Sequence, residues 1–493
     1  MSTRIAPEAD VDIAHDASAR ATPSKWSVLA VVALGVFMCV LDTSIVNVSL
    51  PPIAAYFHVA VGAQVEWVIV AYLIVIAATL LTIGRLSDRI GRRPIWITGL
   101  CVFTTASALC GVAPALWMLI TARVLQGVGG AMLMAVSPAM LTAAFPPEER
   151  GRALGLNSMI VALGITAGPT LGGLITEQAS WRWIFYVNAP IGVVAVIASA
   201  IVLPREHQPS RVRFDILGAI ALGLGLAALT TVLSVGNAAG WGSPVVIALG
   251  ALGATALVGF VAQERRHEAP LIDHTLFRDR LFAWATASLV LSFLAAFATS
   301  FVLPIYFQQL RGYSVLRTGV LLTPFPLVVA VVAPLSGRLA DRIGTRGLAS
   351  AGMTILCVGL VLLARLDART SLWGVIWPQL VTALGMGMFQ SPNNSAIMGA
   401  APRNRQGVAA GMLATGRTVG QSLSVAIAGA VLMSTGAVAA GRALLGRPHD
   451  PALAGTFVRG FRWSLWTCSA LAAIAIVTSL LRGRESLERA RRR

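Results

Sequence analysis

The sequence predicts an all-α integral membrane protein with 14 transmembrane helices: two six-helix halves plus two inserted helices between them. Three observations predict it. The 493 residues are 56% hydrophobic and only 12% charged, against about 25% charged in ordinary soluble domains, and mean hydropathy is +0.76. Apolar runs of about twenty residues, the length that crosses a bilayer as helix, follow one another along the chain. The basic residues sit in the gaps between these runs. Net charge is +17 and nearly all of it is arginine, Lys25 being the single lysine. Arginine richness can signal nucleic-acid binding, but here the arginines occupy short gaps rather than one face. A membrane with basic cytoplasmic loops explains that better, and no nucleic-acid partner is expected.

The elements follow in order. Residues 1–25 mix Glu8, Asp10, Asp12 and Asp16 with Arg4 and Arg20. That is a polar cytoplasmic tail, not the basic-then-apolar pattern of a signal peptide. Runs near 26–50, 64–84, 94–112, 115–144, 153–176 and 183–203 make the first six-helix half, 26–203. The linker 204–282 holds two further runs, 216–235 and 244–262, rich in plain alanine, leucine and glycine. Runs near 283–308, 317–337, 347–365, 372–398, 407–434 and 461–481 make the second half, 283–482. Residues 483–493 are a basic cytoplasmic tail. An even count puts both termini on one side. With alternate gaps assigned to opposite sides, the side of the tails holds twenty-seven lysines and arginines and the other nine; Arg123 and Arg417 fall well inside runs. The positive-inside rule therefore places both termini in the cytoplasm. The five cysteines are scattered singly through apolar stretches, with neither a disulfide framework nor a zinc spacing.

An internal repeat is visible. Residues 84–93 read GRLSDRIGRR and residues 337–346 read GRLADRIGTR, identical at eight of ten positions. Parallel repeats imply two halves about an axis along the membrane normal, with a binding site between them. Gly84 and Gly91 permit a tight turn. Asp88 suits a helix N-terminus, while Arg85, Arg89, Arg92 and Arg93 can meet carboxylates or lipid phosphates. Gly337, Asp341 and Arg342 are the counterparts. A plain basic loop would serve topology alone; duplicated residue order favours cytoplasmic latches that hold one conformation and release in another.

GRLSDRIGRRP resembles the signature loop of the major facilitator superfamily. Further stretches are similar to its fourteen-span drug:proton antiporter family. LDTSIVNVSLP at 41–51 resembles that family's first-helix motif, RVLQGVGGA at 123–131 its fourth-helix motif and GITAGPTLGG at 164–173 its fifth-helix antiporter motif. WRWIFYVNAPIG at 181–192 resembles the start of its sixth helix. The second half rests on the repeat loop and on softer matches such as GYSVLRTGVLLTP at 312–324.

Residue chemistry stands beside this resemblance. Asp42 lies deep in the first run, where a carboxylate is expensive unless paired, hydrated or protonated, so it is a candidate for proton binding, with a structural hydrogen-bonded role as the alternative. Arg123 stays protonated and needs a carboxylate, carbonyls or a cavity; the resemblance implies a part in proton transfer. Glu66, beside Trp67, is a third proton-coupling candidate, with recognition of a cationic substrate or a solvated interfacial place as alternatives. Gly164, Gly168 and Gly172 recur every four residues, with Pro169 and Gly173 alongside. They form a small-residue face, kinked at the proline, that is expected to pack against the other half and shape an outer gate. Asn47, Gln126, Tyr306, Gln309, Gln390, Asn393 and Asn394 are substrate-cavity candidates, helix-to-helix hydrogen bonding being the other reading. Gln308 ends the ninth run beside Gln309, Pro392 opens the helix near the amides, and Arg417 has no partner that the sequence names.

The expected activity is secondary active export of drugs, antibiotics or similar amphiphilic small molecules, exchanged for protons by alternating access in a bacterial cytoplasmic membrane. The antiporter motif implies the direction. Few carboxylates lie inside the runs, which favours single cations, zwitterions or neutral amphiphiles as substrates. No GxxxxGK[ST] loop occurs, and no catalytic set or metal spacing is apparent; no enzyme activity and no cofactor are expected, the proton gradient being the drive. Protons, membrane lipids and the substrate are the expected partners of a monomeric transport unit. Rival readings are a proton-coupled importer of a nutrient or siderophore, and a membrane sensor that moves no solute.

Overall fold

The computed structural model describes residues 24–59, 64–146, 149–204, 216–266, 275–402, 406–447 and 450–482. The expected N-terminal tail up to residue 23, the linker stretches 205–215 and 267–274 and the basic tail 483–493 lie outside the described residues. Everything regular within them is helical. The first half holds α1 (Lys25–Tyr56), α2 (Trp67–Ile90), α3 (Arg92–Val112), α4 (Leu116–Ala144), α5 (Arg150–Gln178), α6 (Trp183–Tyr186) and α7 (Asn188–Val202). Next come α8 (Ile216–Ala239) and α9 (Pro244–Arg266). The second half holds α10 (Arg280–Ala296), α11 (Ala298–Ile305) with a π-helical turn at Tyr306–Leu310, α12 (Val315–Leu322), α13 (Pro324–Ile343) and α14 (Thr345–Leu363). It continues with α15 (Leu372–Ala400), α16 (Gln406–Ser434), α17 (Ala437–Gly446) and α18 (Pro451–Leu480).

Among the described residues, twelve helical stretches are long and apolar enough to cross a membrane, α6–α7, α10 to the π-turn and α12–α13 each counting once. A thirteenth is reached if α16 and α17 count as one span bent by 73°. The described residues thus account for twelve or thirteen of the fourteen spans expected. The seventh run forms α8, whose 24 residues reach about 36 Å at 1.5 Å per residue, against a hydrocarbon core of about 30 Å; its described apolar stretch is Ile220–Leu233.

The two halves repeat one packing scheme. α1 lies on α5 as α10 lies on α16, α2 on α4 as α13 on α15, and α3 on α4 as α14 on α15. Glycines make the last pairing possible in both halves. A Cβ at Gly129 of α4 would come within 2.5 Å of the Phe103 backbone nitrogen on α3, and one at Gly385 of α15 would strike that of Leu356 on α14. Without a hydrophobic drive between helices in lipid, such close approach supplies the packing energy. The decapeptides repeat too. Gly91 (φ 97°) and Gly344 (φ 90°) both take the left-handed conformation that ends α2 and α13, and their N–H groups donate to Ser87 O and Ala340 O. At the end of the bundle opposite the N-terminus, Trp117, Trp183, Trp241 and Trp373 are all exposed, as in the aromatic belt of a membrane interface.

The hairpin α8–α9 breaks the symmetry. α8 packs on α2 and on α16, one helix from each half, with Gly223 close to Ala78 of α2. α9 rests on α8 and is otherwise largely exposed.

Candidate functional site

Asp42 sits midway along α1, fully buried. Arg123 Nη1 donates to its Oδ2 at 2.5 Å. Gln126 Nε2 donates to its Oδ1 at 2.9 Å, and Asn188 Nδ2 donates to the same oxygen at 3.0 Å. Arg123 is only 1% exposed and is held from three further directions: Nη1 donates to Gln126 Oε1, Nε donates to Val68 O, and the guanidinium lies 4.1 Å from the Tyr72 ring centroid. Asn188 also donates to Ser107 Oγ at 3.0 Å, and Ser107 in turn donates to Phe185 O. The helical period explains the assembly: Arg123 and Gln126 are three residues apart and so share one face of α4. Asn188 is the first residue of α7, after the break at Val187. A buried ion pair survives desolvation only when its remaining donors and acceptors are met. Here two carboxylate oxygens take three donors, all from the first half.

Glu66 stands elsewhere. It is fully buried just before α2, with its carboxylate packed against Gly429 of α16, so it lies in the seam between halves. Of the decapeptide residues, Arg92 donates to Ala139 O of α4 and Arg93 to Ala200 O of α7, which ties the loop to its own half. Arg89 and Arg342 are exposed, and Gly84 and Arg85 are half-buried. The Cβ position of Gly337 approaches Ser391 Oγ of α15 at 2.5 Å. The side chains of Asp88 and Asp341 lie outside the description.

The antiporter-motif residues divide between two neighbours. Gly164, Gly168 and Gly172 face Val40, Ser44 and Ile45 of α1, inside their own half. Pro169 and Gly173 meet the other half: the Pro169 carbonyl occupies the space a Cβ at Gly319 would need, and a Cβ at Gly173 would come within 2.6 Å of Val315 O. Around them lie three more links between halves. Thr170 Oγ1 is 2.6 Å from Thr323 Oγ1, Glu177 accepts from Leu316 N–H at 2.8 Å, and Gln308 Nε2 of the π-turn donates to Val48 O at 2.8 Å. All lie in the part of the bundle far from the N-terminus.

The cavity candidates are dispersed. Gln126 belongs to the Asp42 cluster. Tyr306 donates to Asp367 O in the loop after α14, and Gln309 packs on Gly441 of α17. Asn393 is fully buried with neither amide atom hydrogen-bonded among the described residues, and the Oδ1 atoms of Asn47 and Asn394 are in the same position. Gln390 is half-buried. Sequence reasoning missed Asn188, Ser107 and Gly319. The signal for Asn188 was present, since it is the single amide in an apolar stretch after WRWIFYV. Ser107 and Gly319 resemble many other small residues, and only their neighbours distinguish them. No three histidine, cysteine or acidic side chains among the described residues converge as a metal site requires.

Residues 32–425 match the Major Facilitator Superfamily. The chain belongs to this superfamily. Among curated relatives of this major facilitator, the riboflavin transporter RibZ of Clostridioides difficile (strain 630) is 35% identical over 82% of this chain and 87% of that protein. The multidrug resistance protein Stp of Mycobacterium tuberculosis (strain CDC 1551 / Oshkosh) is 36% identical over 82% of this chain and 75% of Stp. The fold resembles the crystal structure of a bacterial homolog of the human lysosomal transporter Spinster, in an inward-facing and unoccupied conformation. The TM-score is 0.67 at 17% identity, covering 94% of this chain and 98% of that one. This facilitator is thus a multi-pass membrane transporter, of a family whose members are generally not enzymes.

Proposed function

We propose that this facilitator exports drugs, antibiotics or similar amphiphilic small molecules across the bacterial cytoplasmic membrane in exchange for protons, with both termini in the cytoplasm. No cofactor takes part; the proton gradient drives it. The observation that carries the reading is the Asp42–Arg123 pair, an ionisable couple sealed within one half and held by groups on α1, α2, α4 and α7. A proton arriving at Asp42 cancels its attraction for Arg123, and the cluster must rearrange because arginine keeps its charge. Movement of α1 against α4 and α7 then passes to α5, which packs on α1, and from α5 to Gly319 at the far gate. Glu66, buried in the seam against α16, is suited to a second protonation step as the halves part. The far-side links among Pro169, Thr170, Glu177, Gln308 and their partners correspond to a closed outer gate, with the decapeptide loops latching the other side. The name of Stp supports a drug substrate.

The test uses inverted vesicles with an inside-acid pH gradient and a panel of dyes, antiseptics and antibiotics. Substrate-triggered proton release is expected from wild type and not from Asp42→Asn. Equal release from both would remove Asp42 from the coupling path. The name of RibZ favours a second reading, vitamin transport on the same fold. Saturable riboflavin uptake into whole cells carrying this chain, with silence in the vesicle panel, would establish that reading instead.

A further inference from the structure

Arg417 is absorbed by none of the above. It lies eleven residues into α16, about 16 Å from the helix start, and is half-buried. Among the described residues its guanidinium has no ion-pair or hydrogen-bond partner. α16 turns Gly411 and Gly429 toward Leu81 and Glu66 at α2, and Gly416 and Gly420 toward Leu289, Val290 and Phe293 of α10. At 3.6 residues per turn, Ala410, Leu413, Ala414, Arg417 and Gln421 form a half-buried strip between those two faces. The opposite half-buried arc, Val408, Val419 and Leu423, is purely apolar, as a lipid-facing surface is. The strip bearing Arg417 therefore borders the space between the halves, since α2 belongs to one and α10 to the other.

Among the described residues no carboxylate pairs with it. Asp42 is taken by Arg123, Gln126 and Asn188. Glu66 packs on Gly429, twelve residues and about 18 Å further along α16. An arginine cannot shed its proton, and a charge at this depth calls for an opposite one. We propose that Arg417 is the recognition point for an acidic group on the transported molecule, a carboxylate or an ionised enol or phenol, with Gln421 hydrogen-bonding beside it. This rests on the transport reading and narrows the expectation of single cations, zwitterions or neutral amphiphiles to molecules that carry an acidic group.

The test is equilibrium binding to purified protein in detergent, read by fluorescence anisotropy, with two xanthene dyes of opposite charge: fluorescein (anionic) and rhodamine 123 (cationic). Wild type is expected to prefer fluorescein. Arg417→Gln should weaken fluorescein about tenfold or more and leave rhodamine 123 within about twofold. Arg417→Lys should keep the preference, and Gln421→Ala should weaken fluorescein a few-fold. Absence of fluorescein binding, a preference for rhodamine 123, an unchanged Arg417→Gln, or equal loss of both dyes would each overturn the proposal. If Arg417→Gln does not fold, the Lys and Ala variants decide by the same dye ratio. No gradient is applied, so the outcome is independent of proton coupling. Fluorescein bound through Arg417 but never exchanged for protons in vesicles would sink the export reading alone.

Discussion

Three donors converge on the two oxygens of Asp42, and each comes from a different commitment of the chain. Arg123 contributes charge, Gln126 follows it one turn along α4, and Asn188 opens α7. Removing one partner of a buried pair strands the other, at about 3–5 kcal/mol. Asp42→Ala should therefore lower the stability of purified protein by that order, measured by thermal unfolding in detergent, and Asp42→Asn by less because the amide can still accept from Gln126. Asn188→Ala removes only a neutral donor and should cost about 1–3 kcal/mol while slowing substrate-triggered proton release. A variant matching wild type in both measurements would show that Asn188 does not hold Asp42. Both charged partners were legible in the sequence because intramembrane charges are rare and need company. Asn188 stood out as a lone amide in an apolar stretch, but a lone amide gives no sign of where its helix will turn it.

At the scale of elements, α5 serves two neighbours with one run of small residues. Gly164, Gly168 and Gly172 recur on the side that receives α1, while Pro169 and Gly173 point to α12 in the other half. Sequence spacing showed the stripe but assigned it to the inter-half contact, because a four-residue period gives a face and no direction. The sharpest approach is at Gly319, where any Cβ would meet the Pro169 carbonyl. Gly319→Val should hold the far gate apart. A cysteine pair placed at Thr170 and Thr323 should crosslink readily in the wild-type background and poorly in the Gly319→Val background; equal crosslinking would mean that this contact does not govern closure. The repeated turn at Gly91 and Gly344 carries its own expectation. Alanine at either position must adopt a positive-φ, extended-ψ conformation that is essentially glycine's own, at about 1–3 kcal/mol, and should lower the melting temperature without altering neighbouring helices.

The whole molecule is two similar halves made unequal by a hairpin. α8 bridges α2 and α16, so that seam is covered from outside, while α5 and α12–α13 meet on the other side through the gate residues alone among the contacts described above. Charge sets the expected orientation, since twenty-seven basic residues lie on the side of the tails and nine on the other. A fluorescent protein fused to the C-terminus should light up and alkaline phosphatase fused there should stay inactive; the opposite pair of results would invert the topology and with it the direction of proton flow.

What is local or periodic was already written in the chain. Hydropathy over one helix length marks the membrane runs, the decapeptide repeat marks the halves, and isolated charges mark Asp42 and Arg123. These signals are legible because transfer into lipid is decided residue by residue and turn by turn. Helix rotation and long-range contact belong to the folded molecule. Packing put Glu66 against Gly429 across the seam, fully buried rather than solvated at the interface, and gave Gln126 to the ion pair. The physical reason is that a helix period names a face without naming its neighbour, and Asp42 and Asn188, 146 residues apart, meet only because the fold packs α7 directly on α1.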